Sequence, residues 1–240
     1  MEHIGSGWQF DAYASGGRVH KVPVSELRMA ARVVRSYPAL VARPFELIAK
    51  IRQLISERED VLAELASREV DRDLLANFRE QGGRYVQDRV EPLGGLLSDG
   101  SDPYRLMDRY VTSIHRGWVS GLAETSFNFT VNHGLNKQGS VVIIDVGELS
   151  FSRDDVEELV AARFWEGAYS VRVLPQEIRS YLLDRMATEI TPARLIQKWQ
   201  DARYTKPRER AQDRPAARRA RTGRMATLRE ADRVLARRAK

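Results

Sequence analysis

The amino-acid sequence predicts an α+β fold in which a small antiparallel sheet comes first and helices dominate the rest of the chain. Two pairs of short strand-like segments flank glycine-rich turns at residues 15–17 and 81–83, a pattern typical of β-hairpins. Longer segments at residues 25–37, 44–67 and 104–124 carry apolar residues at helical spacing. Because the strand-rich part precedes most of the helices, this order favours the α+β class.

The two hairpins are predicted from alternation of apolar and polar residues. Between Trp8 and Pro23 this alternation runs through both sides of the first turn, which predicts two strands. The second hairpin is expected to have strands at residues 74–79 and 85–90. Together these four strands would form the sheet.

The helices are predicted from periodicity and from residues that begin or end a helix. Ser25 is a good cap for a first helix, which Pro38 ends. Pro44 lies just inside a longer helix that continues to about Ser67. A further helix covers residues 104–124, and residues 152–200 are expected to form short helices.

The region between these helices holds two short apolar segments around a turn and then a strand. The first apolar segment is residues 127–132. Four consecutive β-branched residues at 141–144 directly precede Asp145. This pattern predicts a buried strand that delivers the Asp145 carboxylate to its end.

Composition restricts the classes of site that the chain can contain. The 240 residues include no cysteine, which excludes disulfides, zinc–cysteine sites and thiol nucleophiles and is compatible with a cytoplasmic location. No apolar run has the length of about 18 residues that is needed to cross a bilayer, so no membrane partner is expected. The formal charge is +6, and residues 201–240 carry 14 basic and 5 acidic residues. The positive excess therefore lies in the last forty residues.

This basic tail has its own interpretations. Prolines at 207 and 215 and the scarcity of large apolar residues favour a linker, with a terminal helix as an option near residues 225–235. Arginine clusters within residues 205–240 could bind the phosphates of nucleic acid or an acidic protein partner. A solvated tail without a ligand explains the same composition.

Residues near the N-terminus are suited to phosphate binding. Gly5 and Gly7 precede the first predicted strand, and glycine lets backbone N–H groups approach phosphate oxygens closely. The segment Gly5-Ser6-Gly7-Trp8-Gln9-Phe10 resembles the glycine-rich loop of the protein-kinase-like superfamily, with Phe10 in place of the third glycine. Lys21, on the next strand, resembles the family's strand lysine, which contacts the α- and β-phosphates of ATP. A simple turn and an edge-strand lysine are the alternatives.

The end of the second hairpin is similar to the hinge of the same superfamily. Residues 85–95 run from a strand into Gly94-Gly95. The resemblance implies that backbone groups at Arg89, Val90 and Glu91 bind the edge of the adenine.

Asn132 and Asp145 form the strongest part of the resemblance. They lie 13 residues apart on either side of a glycine-centred turn. Asp145-Val146-Gly147 is similar to the family's D-F-G, and Asn132 is similar to the asparagine that closes H-R-D-x-x-x-x-N. In the family these side chains hold Mg²⁺, which prefers oxygen ligands. A turn asparagine and a locally capping aspartate would be the structural alternative.

The chain departs from the family at the catalytic base. Phe127 stands five residues before Asn132, where the family has aspartate, and phenylalanine cannot accept a proton. Glu124, Asn128 and Glu148 lie nearby without one being singled out. The catalytic residue is therefore unknown, and the resemblance implies either a pseudokinase or an atypical phosphotransferase.

A helix glutamate would pair with the strand lysine in the family. Glu57, near the middle of the helix at residues 44–67, is the preferred candidate, and the same helix offers other glutamates: Glu46, Glu59 and Glu64.

The resemblance covers about residues 4–150 and implies a two-lobed kinase-like fold. Residues 1–93 would form an N-lobe, residues 94–200 a reduced helical C-lobe with a metal-binding loop, and residues 201–240 the basic tail. The expected function is binding of ATP with Mg²⁺, by a regulator or a phosphotransferase, with a protein partner as an option. The alternative is a scaffold that acts through its tail on nucleic acid or an acidic protein.

Overall fold

A computed structural model describes residues 1–82 and 84–200 of the chain as an α+β fold. The predictions for the basic tail, including its linker, terminal helix and nucleic-acid contacts, lie outside the described residues. No helix in the described part is long and apolar enough to cross a membrane.

The first half of the chain contains a five-stranded antiparallel sheet. Its strands lie in the order β1-β2-β3-β5-β4, with these bounds: β1 Glu2–Ser6, β2 Phe10–Ser15, β3 Arg18–Pro23, β4 Arg79–Gln81 and β5 Arg84–Asp88. The turn between β2 and β3 uses Gly16 (φ 56°) and Gly17 (φ 77°), a left-handed backbone that glycine adopts without strain. Strand β1 was not predicted. Most of its residues are exposed at the edge of the sheet, so they do not show the alternation that marks a half-buried strand.

Two helices separate the third and fourth strands. They are α1 (Glu26–Ser36) and α2 (Pro44–Ser67), with a 3₁₀ turn between them. The Ser25 side chain accepts a hydrogen bond from Arg28 N, which confirms the predicted cap. Buried side chains of both helices pack together, including Met29, Val33 and Leu54.

The second half is mostly helical. Its helices are α3 Leu93–Ser98, α4 Pro103–Val119, α5 Phe129–Asn132, α6 Arg153–Ala161, α7 Tyr169–Arg172, α8 Gln176–Glu189 and α9 Pro192–Lys198. Short strands lie between them: β6 Glu91–Pro92, β7 Ala123–Glu124, β8 His133–Leu135, β9 Val141–Ile143 and β10 Leu149–Ser150. A large apolar core joins these elements and includes Tyr110, Trp118, Phe129 and Trp165.

Two predicted segments are wrong in detail. The strand expected at residues 74–79 begins only at Arg79, and Leu74 and Leu75 lie in a 3₁₀ turn instead. Both leucine side chains are fully buried in the same core. In a strand they would point to opposite faces of the sheet. The helix expected at residues 104–124 ends at Val119, since Gly121 adopts a left-handed backbone (φ 67°) that terminates it.

The buried strand before Asp145 is confirmed as β9, which pairs with β8. Backbone N–H groups of Ile144 and Asp145 both donate to the carbonyl oxygen of Asn132, at 2.8 and 3.3 Å. Asn132 and Asp145, which are thirteen residues apart in the sequence, are therefore joined directly by a backbone hydrogen bond.

Candidate functional site

A cleft of about 1050 Å³ lies between the sheet and the helical half. Most of the residues that the sequence singled out line it: Gly5, Gly7, Lys21, Arg89, Val90, Glu91, Asn132 and Asp145. Glu57 does not.

The glycine turn, residues 5–9, forms one wall of the cleft. It closes with a 2.8 Å hydrogen bond from Gly7 N to the carbonyl oxygen of Phe10. A Cβ atom at Gly5 would meet nothing within 4 Å, and one at Gly7 would only touch Phe10 O at 3.6 Å. Neither residue has a positive φ. The fold itself therefore does not require glycine at either position, and the space remains open towards the cleft.

Helix α1 holds this turn through a buried aspartate that sequence patterns did not reveal. Asp11 accepts hydrogen bonds from Ser6, Arg28 and Arg32, and Arg32 also donates to Gly7 O. Burial raises the pKa of the Asp11 carboxyl, but the hydrogen bonds from Ser6 and Arg32 outweigh it and lower the pKa overall.

Stacking of two aromatic rings adds to this attachment. The Trp8 and Tyr37 rings lie 6.1 Å apart with an interplanar angle of 26°. Tyr37 follows α1 directly, so this contact and the Asp11 ion pairs fasten the same turn to the same helix.

Lys21 lies in the sheet wall of the cleft and is 7% exposed. Its Nζ donates to the carbonyl oxygen of Ile144 and lies 5.7 Å from the centroid of the Phe10 ring. Burial lowers the pKa of Lys21, while the nearby Asp145 carboxylate opposes this shift. Asp145 thus supplies a nearby negative charge, but its effect on the Lys21 pKa is smaller than that of burial.

Glu57, the preferred partner of Lys21, lies elsewhere. Its Oε1 accepts a 2.9 Å hydrogen bond from Gln53 on the same helix. Among the ion pairs of the described residues, none joins Lys21 to Glu57. The expected pairing is therefore absent, and the carboxylate whose charge acts on Lys21 is that of Asp145, without an ion pair between the two side chains among the described residues.

The floor of the cleft contains Asn132 and Asp145. One oxygen of Asp145 accepts a 3.0 Å hydrogen bond from Gly147 N, and the described residues donate no hydrogen bond to the other. Within residues 1–82 and 84–200, no group of three or more His, Asp or Glu side chains could hold a metal ion alone. A site for Mg²⁺ that is completed by phosphates does not need one, since one or two protein ligands are sufficient.

Glu124 is buried beneath this floor, 8% exposed. Its carboxylate accepts hydrogen bonds from the backbone and side chain of Ser126, from Phe127 N and from Asn132 Nδ2. Burial raises the pKa of Glu124 to about 7, although the hydrogen bonds from Ser126 and Asn132 act in the opposite direction. The sequence suggested Glu124 only as one of three nearby polar residues.

Phe127, at the position where the sequence resemblance implies an aspartate, lies in the core of this structure. It is 4% exposed, has a left-handed backbone (φ 53°) and packs against Trp165, with ring centroids 5.8 Å apart. Its side chain therefore belongs to the core, while Ser126 and Asn128 on either side line the cleft.

The segment 89–91 forms a further wall. Arg89 N donates to Gly17 O at 2.9 Å, which ties the segment to the β2–β3 turn. A Cβ atom at Gly134 would lie 2.6 Å from Val90 Cγ2 and 2.8 Å from Glu91 O. Only glycine at this position therefore allows β8 to lie this close to residues 90 and 91.

Two amide oxygens at the cleft lack protein partners. Gln9 Oε1 and Gln87 Oε1 are buried and accept no hydrogen bond from the described residues, and both side chains line the cleft. A buried polar atom without a partner costs about 1–3 kcal/mol. Such atoms in a cleft are usually satisfied by water or by a ligand.

Comparisons with known proteins give little further guidance. No family model matches the chain, and no curated protein matches it. A solved structure described as a high-resolution (2.2 Å) crystal structure of WbdD matches with a TM-score of 0.39 and 12% sequence identity. The match covers 94% of this chain and 50% of that one, so the chain spans about half the length of the protein it matches. A similarity this low does not establish a shared fold, and the α+β class rests on the chain's own sheet and helices.

Proposed function

We propose that this chain is a kinase-like protein that binds ATP with Mg²⁺ in the cleft. In this proposal residues 1–93 and 94–200 are the N-lobe and the reduced C-lobe of a two-lobed, protein-kinase-like fold. The observation that carries the proposal is the buried Lys21, which lines the same cleft as the nearby Asp145 carboxylate. A buried ammonium beside one carboxylate is suited to attract the phosphates of a nucleotide.

The residues of the cleft fit each part of such a ligand. Ala12 and Val19 on the sheet offer apolar surface for the base, next to the backbone of residues 89–91. The glycine turn leaves space for phosphates, and the orphaned Gln9 and Gln87 oxygens offer acceptors that a ligand or water would satisfy.

Asn132 and Asp145 would hold the cation. Mg²⁺ takes oxygen ligands, and when bound it would neutralise charge on the phosphates. The chain's own contribution is to present the Asn132 amide and the Asp145 carboxylate from a floor that backbone hydrogen bonds hold together.

Whether the chain transfers a phosphoryl group is a separate part of the proposal. Phe127 cannot act as a base, which supports a pseudokinase regulator. Phosphoryl transfer depends mainly on positioning and electrostatics, so an atypical phosphotransferase is the second form of the same proposal.

A binding module that acts through residues 201–240 is the alternative, and the observation that favours it is the charge of that segment. Deletion of residues 205–240 would abolish salt-sensitive binding to nucleic acid or an acidic protein and leave ATP binding intact.

The test is a thermal-shift titration with ATP, with and without Mg²⁺. A ligand at 100 times its Kd stabilises the folded state by about 2.7 kcal/mol, which is easily measured. We expect a magnesium-dependent rise in Tm that disappears in Asp145→Ala and in Lys21→Met. Asp184→Ala and Lys137→Met change exposed residues away from the cleft and serve as matched controls. Absence of any shift in the wild type at saturating ATP would rule out the nucleotide site.

A further inference from the structure

The side-chain amide of Asn132 is held in one orientation. Its Nδ2 donates both hydrogens, to Glu124 Oε1 at 3.1 Å and to Ser126 Oγ at 2.9 Å. The described residues donate no hydrogen bond to its Oδ1. Asn132 lines the cleft, so its oxygen is the end of the amide that remains available there.

This orientation matters for a cation. An amide presents an acceptor at one end and two donors at the other, and the two ends have almost the same shape. A cation is attracted by the oxygen and repelled by the NH₂ group, so a rotated amide would remove a ligand without changing the volume of the side chain. Glu124 Oε1 and Ser126 Oγ, the two acceptors behind Asn132, favour the rotamer that turns Oδ1 towards the cleft.

Ser126 acts as a link within this arrangement. Its Oγ donates to Glu124 and accepts from Asn132 Nδ2 and from Asn128 N, the latter at 3.2 Å. Both of its lone pairs are therefore engaged, which favours a structural bridge over a nucleophile.

Glu124 also holds the loop that contains Phe127. Its Oε2 accepts a 2.8 Å hydrogen bond from Phe127 N, in the residue whose left-handed backbone turns the phenyl ring into the core. One buried carboxylate thus anchors both the loop backbone and the Asn132 amide.

We infer that Glu124 is a positioning residue that holds Asn132 Oδ1 towards the cleft as a ligand for the divalent cation of the bound nucleotide. The inference rests on the proposed function and assigns to Glu124 the task of orienting a metal ligand. Groups that orient metal ligands typically change metal affinity by about 10–100-fold when they are removed.

The experiment compares Glu124→Met, which has no oxygen acceptor, with Glu124→Gln, which retains one. For each protein, the Mg²⁺ concentration that gives half of the maximal thermal shift is measured at fixed ATP, and ATP affinity is measured in EDTA. We expect Glu124→Met to raise the Mg²⁺ midpoint about tenfold or more, with metal-free ATP affinity changed by less than about twofold. Glu124→Gln should restore most of the midpoint. A merely structural role would weaken both measurements together.

A double-mutant cycle separates action through Asn132 from other effects. If Glu124 acts through Asn132, the double variant Glu124→Met/Asn132→Ala should have the same Mg²⁺ midpoint as Asn132→Ala alone. Additive effects would overturn the inference.

Failure of the inference and failure of the proposed function give different results. A wild type without magnesium-dependent ATP binding overturns both. Magnesium dependence that is lost in Asn132→Ala but unchanged in Glu124→Met overturns the inference alone. If circular dichroism shows that Glu124→Met is unfolded, Glu124→Asp decides, because its shorter side chain withdraws the carboxylate from the Asn132 amide. It should raise the midpoint in the same direction, and an unchanged midpoint would overturn the inference.

Discussion

The roof and the floor of the cleft are held in different ways. The roof is the glycine turn, residues 5–9, which forms one wall of the cleft. It is attached to α1 through Asp11, which forms ion pairs with Arg28 and Arg32. The Arg28 side chain is 66% exposed and that of Arg32 is 18% exposed. The floor, which carries Asn132 and Asp145, rests on the buried Glu124 network and on the apolar core around Trp165.

The physical consequences of the two arrangements differ. An ion pair with a largely exposed arginine, such as Arg28–Asp11, contributes little stability and is weakened by salt. A buried hydrogen-bond network costs much more when one member is lost, because the remaining groups stay unpaired in a medium of low polarity. We therefore expect a floor that is rigid and essential to folding, beneath a roof that can adjust to a ligand at small cost.

The largest expected effect comes from placing an aspartate at position 127, in the floor. Phe127→Asp would remove a core ring and bury an unpaired charge, so we expect a loss of at least about 3 kcal/mol in the free energy of unfolding and no gain of activity. The measurement is urea denaturation. Phe45→Asp is the matched control, because Phe45 is 87% exposed. A stable Phe127→Asp protein with phosphotransferase activity would contradict the rigid floor.

A medium effect is expected from His133, which β8 places in the floor. Burial lowers the pKa of His133 to about 3 from its ordinary value of 6.5. Below pH 6.5 the His133 side chain therefore binds a proton in the unfolded state but not in the folded state. The free energy of unfolding falls as the pH drops below 6.5. Between pH 6.5 and pH 5 this loss amounts to about 1.5 kcal/mol.

The check is the difference in unfolding free energy between wild type and His133→Phe across that pH range. Taking the difference removes the contribution of Glu124, whose raised pKa acts with the opposite sign because acid stabilises its folded form. A difference that does not change with pH would mean that His133 is not held neutral by burial.

The smallest effect is expected from the roof. Arg28→Met leaves Asp11 with Ser6 and Arg32, so we expect a loss of about 1 kcal/mol or less, which shrinks further in high salt. Thermal unfolding at low and high salt measures it. Arg52→Met, an exposed residue on α2, is the matched control. A loss as large as that of Phe127→Asp would remove the contrast between roof and floor.

Much of the fold was predictable because it depends on local patterns. The hairpin glycines, the Ser25 cap, the 44–67 helix and the strand before Asp145 are all specified by residues within a few positions of each other. The errors occurred where that local signal fails. Strand β1 lies exposed at an edge, and Leu74-Leu75 is apolar without strand or helical periodicity.

The candidate site was predictable only in part. Gly5, Gly7, Lys21, Asn132 and Asp145 were found through their order along the chain, and the structure brings them to one cleft. Their roles in binding ATP and Mg²⁺ stay predictions.

The sequence by itself therefore determined the order of elements and the residue types available to the cleft, because periodicity, capping and turn chemistry act over short distances. Only the tertiary structure decided which charges meet. Lys21 donates to Ile144 across 123 positions of sequence, Asp145 and not Glu57 is the carboxylate whose charge acts on Lys21, and Glu124 lies behind Asn132. A buried charge interacts most strongly with the charges nearest to it, because the protein interior screens it poorly. Those charges come close only when the two halves of the chain pack together.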